Sequence, residues 1–166
     1  MGEEPRDKFQ DPSRHLTLGD LAKKRDFTAL TLSPAASVVE AAGTFRESAE
    51  GVKHSLAVVI DDRRHVVGVL SLGDIAAALY KHKKTIVDLR VSDIMSANVC
   101  VADKSDELVK ILQKMAEHKI RHMPIVENDV LVGLVTRKDI IEGLYEESAF
   151  QLKQISMYLY HSGARY

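Results

Sequence analysis

The chain repeats itself, and an internal repeat restricts a fold more than composition does. In the first half His54-Ser55-Leu56-Ala57-Val58-Val59 leads through the polar turn Asp61-Asp62-Arg63-Arg64 into His65-Val66-Val67-Gly68-Val69-Leu70-Ser71-Leu72-Gly73-Asp74-Ile75. In the second, Arg121-His122-Met123-Pro124-Ile125-Val126 leads through Glu127-Asn128-Asp129 into Val130-Leu131-Val132-Gly133-Leu134-Val135-Thr136-Arg137-Lys138-Asp139-Ile140. Gly68 and Gly133 lie 65 positions apart, and the first hairpin is two residues longer. Two apolar runs around an acidic turn read as a β-hairpin, and an apolar-periodic helix follows each.

Upstream the halves agree again. Ala29-Leu30-Thr31-Leu32 and Val99-Cys100-Val101 read as short strands. Ser37 and Asp106 stand as N-caps of helices, the second with Leu108, Ile111, Leu112 and Met115 on one face. The expected class is therefore α+β (mixed α/β): two βαββα units packed as a pseudo-twofold pair with flanking helices. A unit of about 60 residues buries too little surface alone, so the two should pack on each other with a cleft between them. The divisions are a polar tail over 1–17, units over 18–85 and 86–145, and a helical extension over 146–166. Thr17-Leu18-Gly19-Asp20-Leu21-Ala22 reads as a short helix leading into the first unit, with Val91-Ser92-Asp93-Ile94-Met95 in the same place before the second. After Asp139 the helical pattern runs to about residue 160, broken only at Gly143. Ile141, Tyr145, Ala149, Leu152, Ile155 and Leu159 form a stripe that calls for a partner surface.

Composition removes several classes. With 23 basic and 24 acidic residues the net charge is −1, so no global basic field holds a nucleic acid. Trp is absent and aromatics are 5%, too few for rows of stacking platforms. No apolar run approaches the ~20 residues of a membrane helix. The start is polar and acidic, unlike a secretory signal, and Arg6 stands where myristoylation wants Ser or Thr. A single cysteine, Cys100, excludes an intrachain disulfide and a cysteine zinc cage, and reads as an inert thiol in an apolar strand. The expectation is a cytoplasmic chain with neither nucleic acid nor membrane as partner.

The chemistry concentrates at Gly68-Val69-Leu70-Ser71-Leu72-Gly73-Asp74 and Gly133-Leu134-Val135-Thr136-Arg137-Lys138-Asp139. Both read as glycine, two apolar residues, a hydroxyl, two variable positions and an Asp, at a junction of strand and helix. Free N–H groups and the helix dipole there favour a phosphate. The hydroxyl can donate to a phosphate or sugar oxygen, and an acceptor-only carboxylate suits a pair of ribose hydroxyls. The same spacing is also that of a helix capping box, which needs no ligand. Both readings stand at this point.

Residues 18–145 resemble a tandem pair of CBS (cystathionine β-synthase) domains, a Bateman module. The resemblance is carried most specifically by Met95-Ser96, by Lys119 through Val126, and by Gly133 to Asp139. It implies two related clefts for adenosine-containing ligands, with Asp74 and Asp139 on ribose hydroxyls and Ser71 and Thr136 on ribose or phosphate. It further implies that Arg121 and His122, with His54 in the first unit, lie near phosphate. Thr28-Ala29 and Ala97-Asn98 would border the adenine, with Pro124 in the wall of the second cleft. A homodimer meeting helix to helix is implied as well.

The two units differ where the ligand would lie. Ala57 stands where the second unit has Pro124, so the first wall is less rigidly set. Leu72-Gly73 replaces Arg137-Lys138, so the second cleft should tolerate phosphates better. His118 and His122 have helix-face spacing, but the helix should end near His118, and no further ligand completes a metal site. No nucleophile turn, paired catalytic carboxylates or Walker lysine is present, so no enzyme is expected. The resulting expectation is a stand-alone sensor of AMP, ADP or ATP, with NAD(H) admitted, acting on an unidentified protein target. A constitutive dimerisation or adaptor module is the alternative, and a nucleotide hydrolase a third reading.

Overall fold

A computed structural model describes residues 15–47 and 55–162, with the side chains of 83–85 and 154–162 outside the description. His54, most of the tail, and the side chains of Ile155 and Leu159 therefore lie outside the described residues.

Each hairpin forms where the paired apolar runs predict it. In the first unit β2 (Leu56–Ile60) pairs antiparallel with β3 (Val66–Ser71), and β1 (Thr31–Leu32) lies parallel to β2. In the second unit β5 (His122–Glu127) pairs with β6 (Val130–Thr136), and β4 (Ala102–Asp103) lies parallel to β5. The short second turn places Asn128 and Asp129 at φ 52° and 64°, the left-handed pair that matches strand twist and that Asn and Asp tolerate. In the longer first turn Asp61 Oδ1 accepts the N–H groups of Arg63 and His65 at 2.9 and 2.8 Å.

Four longer helices cover the sheets: α2 (Val38–Glu47), α3 (Leu72–His82), α5 (Leu108–Glu117) and α6 (Arg137–Ser162). Ser37 caps α2 through a reciprocal exchange with Glu40: Glu40 donates its N–H to Ser37 Oγ at 3.1 Å, and Ser37 donates its own to Glu40 Oε2 at 2.8 Å. Asp106 is not the N-cap of α5. Glu107 holds that place with no side-chain cap, while the carboxylate of Asp106 accepts the N–H of Asp103 at 3.2 Å. The apolar face of α5 forms as the spacing predicts, with Leu108, Ile111 and Met115 fully buried.

The two lead-in helices, α1 (Leu18–Ala22) and α4 (Val91–Ile94), exchange partners. α1 precedes the first unit in the chain but docks on the second: Leu18 donates its N–H to Asp106 O at 2.9 Å, and Leu108 donates to Leu16 O at 2.9 Å. Leu18 and Leu21 sit in the core of Leu108, Ile111, Met115 and Ile140. Conversely α4 closes the first unit. Val91 donates to Ala36 O at 2.9 Å and joins Ala41, Phe45 and Leu70 in that core. Gly143 does not interrupt α6, because it lies where a Cβ would meet Leu21 Cδ1 at 2.7 Å. The absent side chain admits α1.

The units meet through Val58, Leu131 and Leu134, with Ala29, Leu56, Ile60 and Val66 packed around them. An antiparallel bridge joins His65 to Val130. These are equivalent positions of the repeat, so the bridge marks the pseudo-twofold axis. Among the described residues no helix is long and apolar enough to cross a membrane.

The register corrects one expectation. Leu56 pairs with Ser71 and His122 with Thr136, while Leu72 and Arg137 donate to the carbonyls of Ser55 and Arg121. Thus Ser55, Leu56 and Val58, not His54, Ser55 and Ala57, are the first unit's counterparts of Arg121, His122 and Pro124. The hydrogen bond from Val58 N to Leu30 O at 2.8 Å has no equivalent at Pro124, which has no N–H to donate.

Candidate functional site

In each unit a strand hands over to a helix at the hydroxyl residue. Asp139 Oδ2 accepts the N–H of Thr136 at 2.9 Å and also its hydroxyl, while Asp139 donates its own N–H to Thr136 Oγ1 at 3.2 Å. The first unit repeats the arrangement: Ser71 N to Asp74 Oδ2 is 2.7 Å, and Asp74 N to Ser71 Oγ is 3.2 Å. The capping reading is thus realised at both junctions. It engages one carboxylate oxygen of each aspartate and leaves Oδ1 for other partners.

Strand alternation sets which side chains can join these junctions. Met123, Ile125 and Val135 turn to the helix-covered core. His122, Pro124, Leu134 and Thr136 turn to the opposite face, where the units meet. Around the helix start lies a hollow of about 630 Å³ lined by Arg121, His122, Thr136 and Lys138, with Ile141 and Glu142 farther along α6 and the stem of Arg137 beside them. Arg121 and Lys138 are exposed, and His122 is half-buried. The guanidinium of Arg137 turns away, donating to Ile120 O at 2.7 Å and Met115 O at 3.4 Å. There it caps the end of α5, whereas the cation reading at this helix start rests on Lys138. The helix does end at Glu117 and His122 does open β5, so His118 and His122 do not share a helix face.

The segments expected to border a ligand cross from the opposite side of the axis. Phe27 O accepts the N–H of Leu134 at 2.8 Å, placing Thr28 and Ala29 along the edge of β6. Ser96 exchanges two bonds with Val69, at 3.0 and 2.9 Å, placing Ala97 and Asn98 along the edge of β3. Both motif glycines permit the crossing. A Cβ on Gly133 would meet Phe27 O at 2.8 Å, and one on Gly68 would meet Met95 Sδ at 2.5 Å. Thr28 is drawn into a local turn, its N–H and hydroxyl both donating to Asp26 Oδ1 at 2.9 and 2.7 Å.

Arg25 escaped the sequence reading, since in Lys23-Lys24-Arg25 it looks like part of a solvated charge run. Its Nη1 lies 2.9 Å from Glu142 Oε2 and 3.7 Å from Asp139 Oδ1, and its Nη2 lies 2.6 Å from Glu146 Oε1. The hydrogen bond to Glu142 raises the arginine's pKa and holds the glutamate below its ordinary range. The caps of α1 and α4 match, Thr17 with Asp20 and Arg90 with Asp93, but the crossing follows later at Phe27 than at Ser96, so Arg25 lies in a longer connection with no counterpart in the first unit.

Burial lowers the pKa of His122 below the ordinary 6.5, and neighbouring Arg121 lowers it further, against the opposing pull of Asp139. The folded chain thus binds this proton less readily than the unfolded chain does. The histidine's contribution to stability is complete above the unfolded value and is lost as pH falls from there through the depressed folded value. Denaturant midpoints measured from pH 7.5 down to 5 should therefore show a decline that His122→Gln makes shallower; an unchanged slope would deny His122 that role.

Mirrored hydroxyl–carboxylate junctions in two interlocked α/β units define a paired-domain class. The chain belongs to the CBS domain family, whose profile matches residues 17–81 and 91–146. It is 31% identical over 121 residues to a homoserine O-acetyltransferase of Methanosphaera stadtmanae, a match covering 72% of this chain and 23% of that protein. It is 27% identical over 130 residues to an uncharacterized protein of Methanopyrus kandleri, covering 78% of this chain and 63% of the other. The chain thus spans less than two thirds of either relative. Among solved structures, a CBS-domain protein of Agrobacterium tumefaciens superposes with TM-score 0.67 at 25% identity, over 77% of this chain and 98% of that one. The CBS domain pair of protein MJ0100, in complex with 5′-methylthioadenosine and S-adenosyl-L-methionine, gives TM-score 0.64 at 25% identity over 78% and 99%.

Proposed function

We propose that this CBS pair is a regulatory sensor of adenosine-containing ligands, with AMP, ADP or ATP favoured and NAD(H) admitted. The observation that carries the reading is the mirrored pair of aspartates, each capping a helix with one oxygen and keeping the other for a ribose diol. In the second cleft Arg121 and Lys138 add the charge that a phosphate needs, and the neutral His122 ring adds an N–H donor. The first cleft has Ser55, Leu56 and Gly73 at those positions, so phosphorylated ligands belong to the Thr136–Asp139 side. The complex of MJ0100 with two adenosyl compounds supports the ligand class. Thr28, Ala29, Ala97 and Asn98 complete the proposed ligand surroundings, and Ser55 and Leu56 take the place expected for His54.

Occupancy acts only if the ligand binds one arrangement of the units more tightly than another. The exposed Ile141, Tyr145, Ala149 and Leu152 on α6 offer a face for a second copy or a protein target. The role proposed is cytoplasmic and non-catalytic. A constitutive adaptor is the second reading, favoured by the fact that both aspartates already serve as caps.

Melting the protein with AMP, ATP, NAD and S-adenosylmethionine separates the two. A ligand that binds only the folded state, at 100 times its dissociation constant, adds about 2.7 kcal/mol. At this chain length that is a rise of about 5–10 °C. A flat response to all four compounds would favour the adaptor.

A further inference from the structure

We infer that Arg25 gates the second cleft, competing with the ribose for Asp139. The inference rests on the ligand reading above and concerns only how tightly that site grips. Asp139 Oδ2 is filled by the N–H and hydroxyl of Thr136, so Oδ1 is the oxygen left for a sugar diol. That oxygen faces the Arg25 guanidinium at 3.7 Å, with both side chains mostly shielded, at 20% and 28% exposure. A carboxylate beside a guanidinium is a weaker acceptor for a neutral hydroxyl than a carboxylate left alone, because part of its charge is already answered. Glu142 and Glu146 hold the same guanidinium more closely, at 2.9 and 2.6 Å. They draw it outward along α6 and keep it from closing fully on Asp139. The gate is therefore a balance: three carboxylates share one cation, and the ribose gains whatever the two glutamates take from Asp139. Arg25 belongs to the segment that crosses from the first unit, whereas all three carboxylates belong to α6. Ligand binding at Asp139 consequently loosens one tie between the segment and the helix. The connection that carries Arg25 is longer than its equivalent between α4 and Ser96, so among the described residues Asp74 has no matching gate.

Opposite substitutions should move affinity in opposite directions, which a merely structural ion pair would not do. Adenosine, which lacks phosphate, is titrated calorimetrically into the full chain carrying Asp74→Ala to silence the first cleft. Adding Arg25→Ile should tighten binding about three- to tenfold, and adding Glu142→Gln with Glu146→Gln should weaken it by a similar factor. Restoring Arg25→Ile in the double-glutamine background should recover the loss. If Asp74→Ala compromises the fold, judged by its melting curve, the same comparisons are made in the unsubstituted chain. Both changes moving affinity the same way, or neither moving it, overturns the gate while leaving the ligand reading intact. Arg25→Ile weakening AMP more than adenosine also overturns it, by making Arg25 a phosphate contact. An unsubstituted chain silent to both compounds overturns the gate and the ligand reading together.

Discussion

Replacing Asp139 with alanine should weaken AMP binding at the second cleft about 10- to 100-fold. Hydrogen bonds to a charged acceptor contribute roughly 1.5–3 kcal/mol, and each 1.4 kcal/mol is a factor of ten. A ribose diol presents two donors, and Asp139 Oδ1 is the acceptor not consumed by the helix cap. The substitution also removes the partner of the Thr136 N–H, for which about 1 kcal/mol of stability should disappear in the ligand-free melt. Asp139→Asn separates the two effects, since the amide oxygen can still accept from Thr136 while the negative charge is gone. The expected order of AMP affinity is wild type, then Asn, then Ala, with the melting temperature of the Asn variant nearer wild type. Titration calorimetry reads the first and thermal melting the second. Asp139→Ala binding AMP as tightly as wild type would remove the carboxylate from the site.

The second large effect is on stability. Gly133→Ala should destabilise the fold by about 1–3 kcal/mol through overpacking, and Gly68→Ala by less. The two glycines occupy the same place in the repeat, but their obstacles differ. A Cβ at 133 meets the Phe27 carbonyl oxygen at 2.8 Å and Phe27 Cβ at 3.0 Å. That carbonyl is already committed to the N–H of Leu134, so backbone would have to shift. At 68 the obstacle is the Met95 thioether, with Sδ at 2.5 Å and Cε at 3.3 Å. A methionine has three rotatable bonds and can retreat. Denaturant midpoints should therefore fall further for the 133 variant. Equal losses would mean that the crossing segment is as pliable as the methionine.

The features visible from the residues alone were the local ones. Hairpins, the apolar face of α5 and the hydroxyl–carboxylate spacing each lie within one short stretch, where periodicity and capping chemistry act directly. The strand register was harder, because Ala57-Val58-Val59 and Met123-Pro124-Ile125 are buried throughout. No in–out alternation marks which residue faces which in such a run, and matching proline to alanine misplaced the equivalence by one residue. Exchange of the lead-in helices was hidden for another reason. Leu18 and Leu21 are apolar enough to join either core, and what selects the second is the gap left by Gly143 on a helix far along the chain. Arg25 offered no local sign, since its partners lie on α6. Only the crossing of Phe27 over β6 brings it to Asp139.

The traded positions of α1 and α4 make the two halves reciprocal in a stricter sense than symmetry alone. Each is sealed by a piece that the polypeptide supplies from beside the other, with Leu18 bonded to Asp106 and Val91 to Ala36. Scission of the backbone near residue 89 would leave both seals on the wrong fragment. The pair is thus a clasp rather than two beads, and loosening at either end is felt at the other.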